Sequence, residues 1–195
     1  MRIGLISDTF VPGAAMGVPQ QVVLAFEGVD LILHCGNIYV PSVLDWLERI
    51  APVKATANVS GGQAEARQAV SMECAGDARV ADTRLLELEG HSIGMVHDLA
   101  FTSMNDRVMP GSLVDPHRSS RSPAKMVEEF FGAKVNIVIF GRTLSSMVEE
   151  HEGVLFINPG SPSVPNGIMK LGSVAVLDLT PGKRDVRLID LATIR

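Results

Sequence analysis

The stretch that decides the fold is "RIGLIS" at residues 2–7, a short apolar run that ends at Asp8. Its isoleucines and leucine predict a buried strand whose carboxyl end offers a carboxylate to a loop. Similar apolar runs recur, separated by segments with helical spacing. The predicted strands are 2–7, 29–34 and 52–58. The predicted helices between them are 17–27 and 40–50. Strands that alternate with helices predict right-handed βαβ units and a mostly parallel first sheet.

The second half of the chain has a different pattern, with many strands and little helix. Residues 83–98, "TRLLELEGHSIGMVHD", predict a hairpin that turns at Glu89-Gly90-His91. A helix is predicted over 123–132, with Ser122 as its N-cap. The five strand-like runs that follow indicate a β-meander. Two sheets packed face to face with helices outside, in one α/β domain over 1–195, is the simplest architecture for this order.

Residues 98–122 form a long, polar and poorly periodic segment between the hairpin and the predicted helix. A loop of this length in a compact domain is usually functional or mobile. We expect it to act as a lid over a site or as a subunit contact in a homo-oligomer.

Composition excludes several classes of partner. The 195 residues are 46% hydrophobic and 20% charged, as in ordinary soluble proteins, and the formal net charge is −5. The loose cluster "HRSSRSPAK" (117–125) is the strongest basic stretch, so we expect no nucleic-acid partner. Cys35 and Cys74 suit neither a disulfide framework nor a metal site. Without a basic leader or a run of about 18 apolar residues, a cytoplasmic protein with no membrane partner is expected.

Polar side chains follow the predicted strands. They are Asp8, Asn37, Asn58, His97 and Arg142. Ligand crevices in α/β sheets lie at the carboxyl ends of strands, so these five are expected to converge on one site. Other interpretations stay open: Asp8 as a turn cap, Asn58 as a turn residue, and His97 as a structural histidine.

Two other motifs have simpler interpretations. "INPGS" at 157–161 supplies the residue types of a sharp turn. His34 and Cys35, at the end of the second strand, are interpreted as packing residues, with metal binding as the alternative.

The order of six motifs resembles that of the calcineurin-like metallophosphoesterases. The motifs are "SDTF", "HCGN", "TANVS", "MVHD", "FGRTL" and "INPGS", and the resemblance runs from residue 2 to about 179. The branch it is most similar to contains the small single-domain phosphodiesterases that share their fold with the retromer cargo-complex subunit. The resemblance implies a four-layer α/β/β/α sandwich of two mixed sheets. It also implies two divalent metals that activate a hydroxide for attack on a phosphoester.

The expected metal ligands are only partly present. Asp8, Asn58 and His97 agree with the family. The replaced positions are Phe10 for a histidine, Asn37 for the bridging aspartate, and Arg142 and Leu144 for the two histidines of a "GHTH" motif. Asp98 also stands where the family has a glycine. Four of seven expected ligands are therefore changed.

Arg142 is the most informative replacement. A guanidinium is always charged and has no lone pair to donate, so it repels a cation and cannot ligate one. We therefore expect Arg142 to take the electrostatic place of the metal and to pair with Asp8. The leading hypothesis is a dismantled dinuclear site in a pseudoenzyme without a cofactor. It would bind a phosphate-containing small molecule or a protein partner through Asp8, Asn37, Asn58, His97 and Arg142.

Two alternatives remain. The first is an active, divergent phosphodiesterase, a hydrolase with one divalent metal such as manganese. Its metal ligands would be Asp8, Asn37, Asn58 and His97, and Arg142 would stabilise transition-state charge, with His97 the other catalytic candidate. The second is a purely structural component of an oligomer.

Overall fold

The computed structural model describes residues 1–57, 74, 76–101, 106–114 and 121–195. Within these residues the chain forms β1 (Arg2–Ile6), α1 (Gln21–Ala25), β2 (Leu31–Cys35), α2 (Pro41–Leu47), β3 (Val53–Thr56), β4 (Val80–Ala81), β5 (Thr83–Leu88), β6 (His91–Val96), α3 (Pro123–Phe131), β7 (Ile137–Ile139), β8 (Met147–His151), β9 (Val154–Asn158), β10 (Ser173–Thr180) and β11 (Lys183–Asp190).

The first sheet has the strand order β11-β10-β1-β2-β3-β4. Strands β1 to β4 pair in parallel, with Ile3 opposite Leu31 and Ile32 opposite Val53. This confirms the parallel βαβ half that the sequence predicts. The short strand β4 lies between the predicted strand 52–58 and the predicted hairpin, where we predicted no strand.

The second sheet has the order β5-β6-β7-β9-β8. The predicted hairpin is present as β5 and β6, and Glu89 and Gly90 form its turn with φ of 52° and 78°. Our prediction of a single meander at the end of the chain is wrong. Strand β7 pairs in parallel with both β6 and β9, and β10 and β11 join the first sheet instead. Strand β10 is buried on both faces, so it needs an internal position between two strands.

Three apolar layers hold the sheets and helices together. Ile3 and Leu5 of β1 pack between the two sheets, whereas Ile6 packs toward α1 and α2. Phe140 and Phe156 belong to a third layer under α3. The order of layers is thus helix, sheet, sheet, helix, which confirms the predicted α/β/β/α sandwich.

The helix boundaries show how local chemistry acts. Helix α1 begins at Gln21 instead of residue 17, because Pro19 disfavours helical geometry at Val18. Helix α3 starts as predicted, with Ser122 Oγ accepting a hydrogen bond from the main-chain N–H of Lys125 at 3.3 Å. Among the described residues, no helix combines the length and the apolar character that crossing a bilayer requires.

The long segment 98–122 is described in three parts: 98–101, 106–114 and 121–122. It contains a short 3₁₀ turn at Ser112–Val114. Its role as a lid or subunit contact stays a prediction.

Candidate functional site

Asp8 follows β1, and its side chain is fully buried. Four protein groups donate hydrogen bonds to the carboxylate. At Oδ2 the donors are Ser7 Oγ at 2.5 Å and the main-chain N–H of Arg142 at 2.9 Å. At Oδ1 the donors are Asn37 Nδ2 at 2.6 Å and His97 Nε2 at 3.3 Å. A buried carboxylate is stable when it is hydrogen-bonded in this way.

The structure therefore brings together four of the five residues that the sequence indicated. Asp8, Asn37, His97 and Arg142 follow β1, β2, β6 and β7, and they meet at one edge of the sandwich. The fifth, Asn58, lies outside the described residues. Parallel pairing of these strands aligns their carboxyl ends, which explains why residues so distant in sequence converge.

Arg142 contacts Asp8 differently from our expectation. Its main-chain N–H donates to Asp8, whereas its guanidinium Nε lies 3.8 Å from Asp98 Oδ2. Among the described residues, the ion pair of the Arg142 side chain is thus with Asp98. The left-handed backbone at Arg142, with φ of 72°, sets the direction of that N–H.

Asp98 is the centre of a second polar group that sequence reasoning missed. Arg107 Nε donates to both carboxylate oxygens of Asp98, at 2.8 and 2.9 Å, and Nη2 donates at 2.7 Å. Such a fork is the strongest common geometry between arginine and a carboxylate. Arg107 lies in a segment without periodicity, so no sequence signal pointed to it.

The loops around Asp8 have an unusual backbone. The site residues with positive φ are Asp8 (54°), Phe10 (53°), Asn37 (53°), Arg142 (72°) and Leu144 (60°). Aspartate and asparagine tolerate this region, but for the other three types it costs roughly 1 kcal/mol or more each. The surrounding structure must therefore impose the loop shape.

Two glycines beneath the carboxylate show how tightly it is enclosed. A Cβ on Gly141 would lie 1.9 Å from Ser7 Oγ and 2.5 Å from the carbonyl oxygen of Cys35. A Cβ on Gly36 would lie 2.2 Å from the ring of His97. Neither position has room for a side chain, so both glycines allow the close approach of neighbouring strand ends.

The "INPGS" motif does more than turn the chain. It makes the expected turn, in which Gly160 N–H donates to Asn158 Oδ1 at 2.9 Å. In addition, Asn158 Nδ2 donates to the Gly141 carbonyl oxygen at 3.0 Å, and Ser161 Oγ donates to the main-chain oxygen of Asp8 at 2.7 Å. Asn158 and Ser161 are fully buried and position the site loops. Their place at the end of a buried strand and just beyond it was the available signal.

His34 and Cys35 lie behind the site and are fully buried. Burial lowers the pKa of His34 to about 3, so the ring is neutral near pH 7. Its Nε2 lies 3.2 Å from Thr9 Oγ1, and its Nδ1 has no partner among the described residues. Burial raises the pKa of the Cys35 thiol, which makes it a poor nucleophile. Both observations agree with packing roles.

An apolar edge borders the site. The Phe10 ring meets the Tyr39 ring edge to face, with centroids 5.5 Å apart. Burial raises the pKa of the Tyr39 hydroxyl, and the nearby Asp8 adds to the shift. Leu144 accepts a hydrogen bond from Asn166 N–H through its main-chain oxygen, at 3.0 Å. Phe10 and Leu144 bring no donor atom for a metal in their side chains.

Residues 1–182 match the calcineurin-like phosphoesterase superfamily domain. The chain belongs to this superfamily. A probable metallophosphoesterase of Methanothermobacter thermautotrophicus is 31% identical over 189 residues, which cover 97% of this chain and 92% of that protein.

Solved structures show the same fold at lower identity. Wild-type Vps29 from Entamoeba histolytica, complexed with zinc, aligns with a TM-score of 0.61 at 17% identity, covering 98% of this chain and 99% of Vps29. An archaeal phosphodiesterase aligns with a TM-score of 0.58 at 19% identity, and the alignment covers 97% of this chain and 100% of the phosphodiesterase chain. These likenesses confirm the small metallophosphoesterase sandwich.

The donor set can be tested against the metals that the superfamily implies. Of the seven expected ligand positions, six are described, and ligating atoms are carried by Asp8, Asn37 and His97. Within the described part of the chain, no group of three or more His, Cys, Asp or Glu side chains could hold a metal ion. The described donor set therefore does not fit a dinuclear centre.

Proposed function

We propose that this protein keeps the metallophosphoesterase fold without the dinuclear centre and works by binding. Its ligand would be a phosphate-containing small molecule or a protein partner. The observation that carries the proposal is the saturation of Asp8, whose two carboxylate oxygens accept hydrogen bonds from four protein donors. These bonds occupy the lone pairs that a cation would need.

The neighbours of Asp8 support the same conclusion. Asn37 directs its amide NH₂ toward Asp8, so its contact is that of a donor and not of a ligand. Arg142 brings a permanent positive charge within the site, which disfavours a second cation. Asp8 would be the one anionic ligand among the described family positions, and hard divalent ions bind weakly to a single carboxylate.

A binding role agrees with the groups that remain. A guanidinium and an amide donor suit a phosphate, because such groups recognise its oxygens through charge-assisted hydrogen bonds. Fold similarity to Vps29 and to an archaeal phosphodiesterase does not by itself decide between binding and catalysis.

The test combines metal analysis with an activity assay on protein purified without chelator. We expect less than stoichiometric metal, no hydrolysis of bis-p-nitrophenyl phosphate with added manganese, and the same thermal midpoint with and without EDTA. A combined variant that restores the superfamily's ligands, Phe10→His, Asn37→Asp, Arg142→His and Leu144→His, serves as the positive control. It should gain manganese binding, which shows that the assay detects a working site.

The opposite result would identify the one-metal phosphodiesterase. In that case native protein would contain stoichiometric metal and turn over substrate. Asp8→Ala would abolish the turnover, whereas Asp185→Ala on the exposed β11 would retain it. This outcome would make Arg142 and His97 candidates for catalysis and would exclude the proposed metal-free state.

A further inference from the structure

Two arginines approach one carboxylate beside the Asp8 site. Asp98 Oδ2 accepts from Arg107 Nη2 at 2.7 Å and lies 3.8 Å from Arg142 Nε. The three side chains are only 16% to 26% exposed, so solvent screens their charges weakly. The function proposed above gives no role to Arg107 or Asp98.

We propose that Arg107 and Arg142 form a binding site for a tetrahedral oxyanion, either phosphate or a phosphomonoester. In the absence of this ligand, the Asp98 carboxylate occupies the site. The inference rests on the proposed function, because it requires that no metal occupies the site beside Arg142. Two guanidinium groups that approach one oxygen have the geometry to share a phosphate, since each can bind separate oxygens of the same group.

The charges explain why Asp98 acts as an internal competitor. Asp98 is paired with Arg107 at 2.7 Å and with Arg142 at 3.8 Å. While its carboxylate remains in place, it repels an entering dianion and holds the donors that the dianion would use. When the Asp98 carboxylate is turned away or replaced, the same dianion meets two guanidinium groups next to the well-bonded Asp8. Asp98 thus sets the affinity of the site.

The main chain holds Arg107 close to the site independently of Asp98. Ala100 and Arg107 form an antiparallel bridge, and Val108 N–H donates to the Leu99 carbonyl oxygen at 3.0 Å. Leu99 and Val108 are also buried. Removing the Asp98 charge should therefore leave the main chain of Arg107 in position, so a substitution at Asp98 tests binding separately from folding.

The experiment is calorimetric titration of inorganic phosphate at low ionic strength. Asp98→Asn should bind phosphate roughly tenfold or more tightly than the native protein, as expected when an internal counter-charge is removed. Asp185→Asn is the matched control, because it removes the same charge from exposed β11 and should leave affinity unchanged. The gain should disappear when Arg107→Gln or Arg142→Gln is added, and it should shrink with salt.

A second titration with glycerol 2-phosphate distinguishes the two sources of the oxyanion. A gain for inorganic phosphate that the ester does not share supports recognition of free phosphate, and a gain for the ester that equals or exceeds it supports a phosphomonoester. If the Asp98→Asn variant does not fold, the Asp98→Ser variant is used in its place, because it removes the same charge. The proposal is wrong if neither variant binds more tightly than the control, or if the gain survives Arg142→Gln.

Metal analysis of the same samples separates the two proposals. Metal-free protein whose Asp98 variants gain no phosphate affinity overturns the oxyanion site and leaves the proposed function intact. Stoichiometric metal in the native protein overturns the proposed function, and with it the inference.

Discussion

The candidate site has two regions that differ sharply, which we call the floor and the rim. The floor consists of Ser7, Gly36, Gly141, Asn158 and Ser161. The rim consists of Phe10, Asn37, Arg142 and Leu144. Every floor residue is buried, and every rim residue is partly exposed. All four replacements of expected superfamily ligands lie in the rim.

The difference shows which part of the site determines its shape. The floor has no free space, and its buried hydrogen bonds fix Asp8 and the loops that carry the rim. Because contacts with the floor fix the backbone of the rim loops, the side chains of the rim can change while the loops keep their geometry. The comparison predicts that substitutions in the floor change the free energy of unfolding strongly and that substitutions in the rim change it little.

The largest effect is expected from Gly141→Ala. The new Cβ would lie 2.5 Å from the Cys35 carbonyl oxygen, a main-chain atom that cannot rotate away. We expect the free energy of unfolding to fall by about 3 kcal/mol or more, as in severe overpacking. Gly17→Ala is the control, because a Cβ there meets nothing within 4 Å. Equal urea midpoints for the two variants would contradict a rigid floor.

A pH-dependent effect is expected from His34, which lies behind the floor. Burial lowers its folded pKa from 6.5 to about 3, so the unfolded chain takes up a proton at higher pH than the folded one. Stability from this group is therefore present above pH 6.5 and is lost as the pH falls toward 3. The slope should approach roughly 1.4 kcal/mol per pH unit in that window.

Unfolding curves between pH 4 and 7 test this with two variants. His34→Gln should remove most of the slope, since glutamine does not titrate. His151→Gln, at the end of β8, should leave the His34 contribution in place. A slope that persists in His34→Gln would assign the acid sensitivity to other groups.

Local sequence signals predicted much of the fold. Strand β1, the β5–β6 hairpin and the Ser122 cap of α3 each depend on neighbouring residues, so periodicity and turn chemistry were sufficient. The sheet assignment of β10 and β11 was missed, because pairing partners distant in the chain leave no local pattern. The order of the predicted elements favoured two sheets with helices outside, and the resemblance to the superfamily implied the same four-layer sandwich.

The site was predictable in its location and less so in its contacts. Asp8, Asn37, His97 and Arg142 could be placed together because parallel strands align their ends. The direction of the Arg142 guanidinium could not be foreseen, because it depends on the left-handed backbone at that residue and on Asp98. Arg107 lies beside the site because of its antiparallel bridge with Ala100, a tertiary contact that the sequence pattern does not show.

The smallest change in the free energy of unfolding is expected from Leu144→Asn in the rim, and it should be an increase, whereas Gly141→Ala causes a decrease. Leu144 has φ of 60°, a conformation that leucine disfavours and asparagine tolerates. We expect a gain of roughly 0.5 kcal/mol in the free energy of unfolding, since relief of backbone strain exceeds the loss of partial burial. The measurement is a urea midpoint at neutral pH.

Leu188→Asn provides the matched control, because Leu188 is also partly exposed but lies within strand β11. There the same substitution relieves no strain and introduces a residue that strands disfavour, so stability should fall. If both variants lose stability equally, the rim is not strained. Opposite signs would show that the floor holds the rim in a shape that its present side chains do not favour. That shape would then be a property of the superfamily's scaffold and not of the chemistry that this chain now carries.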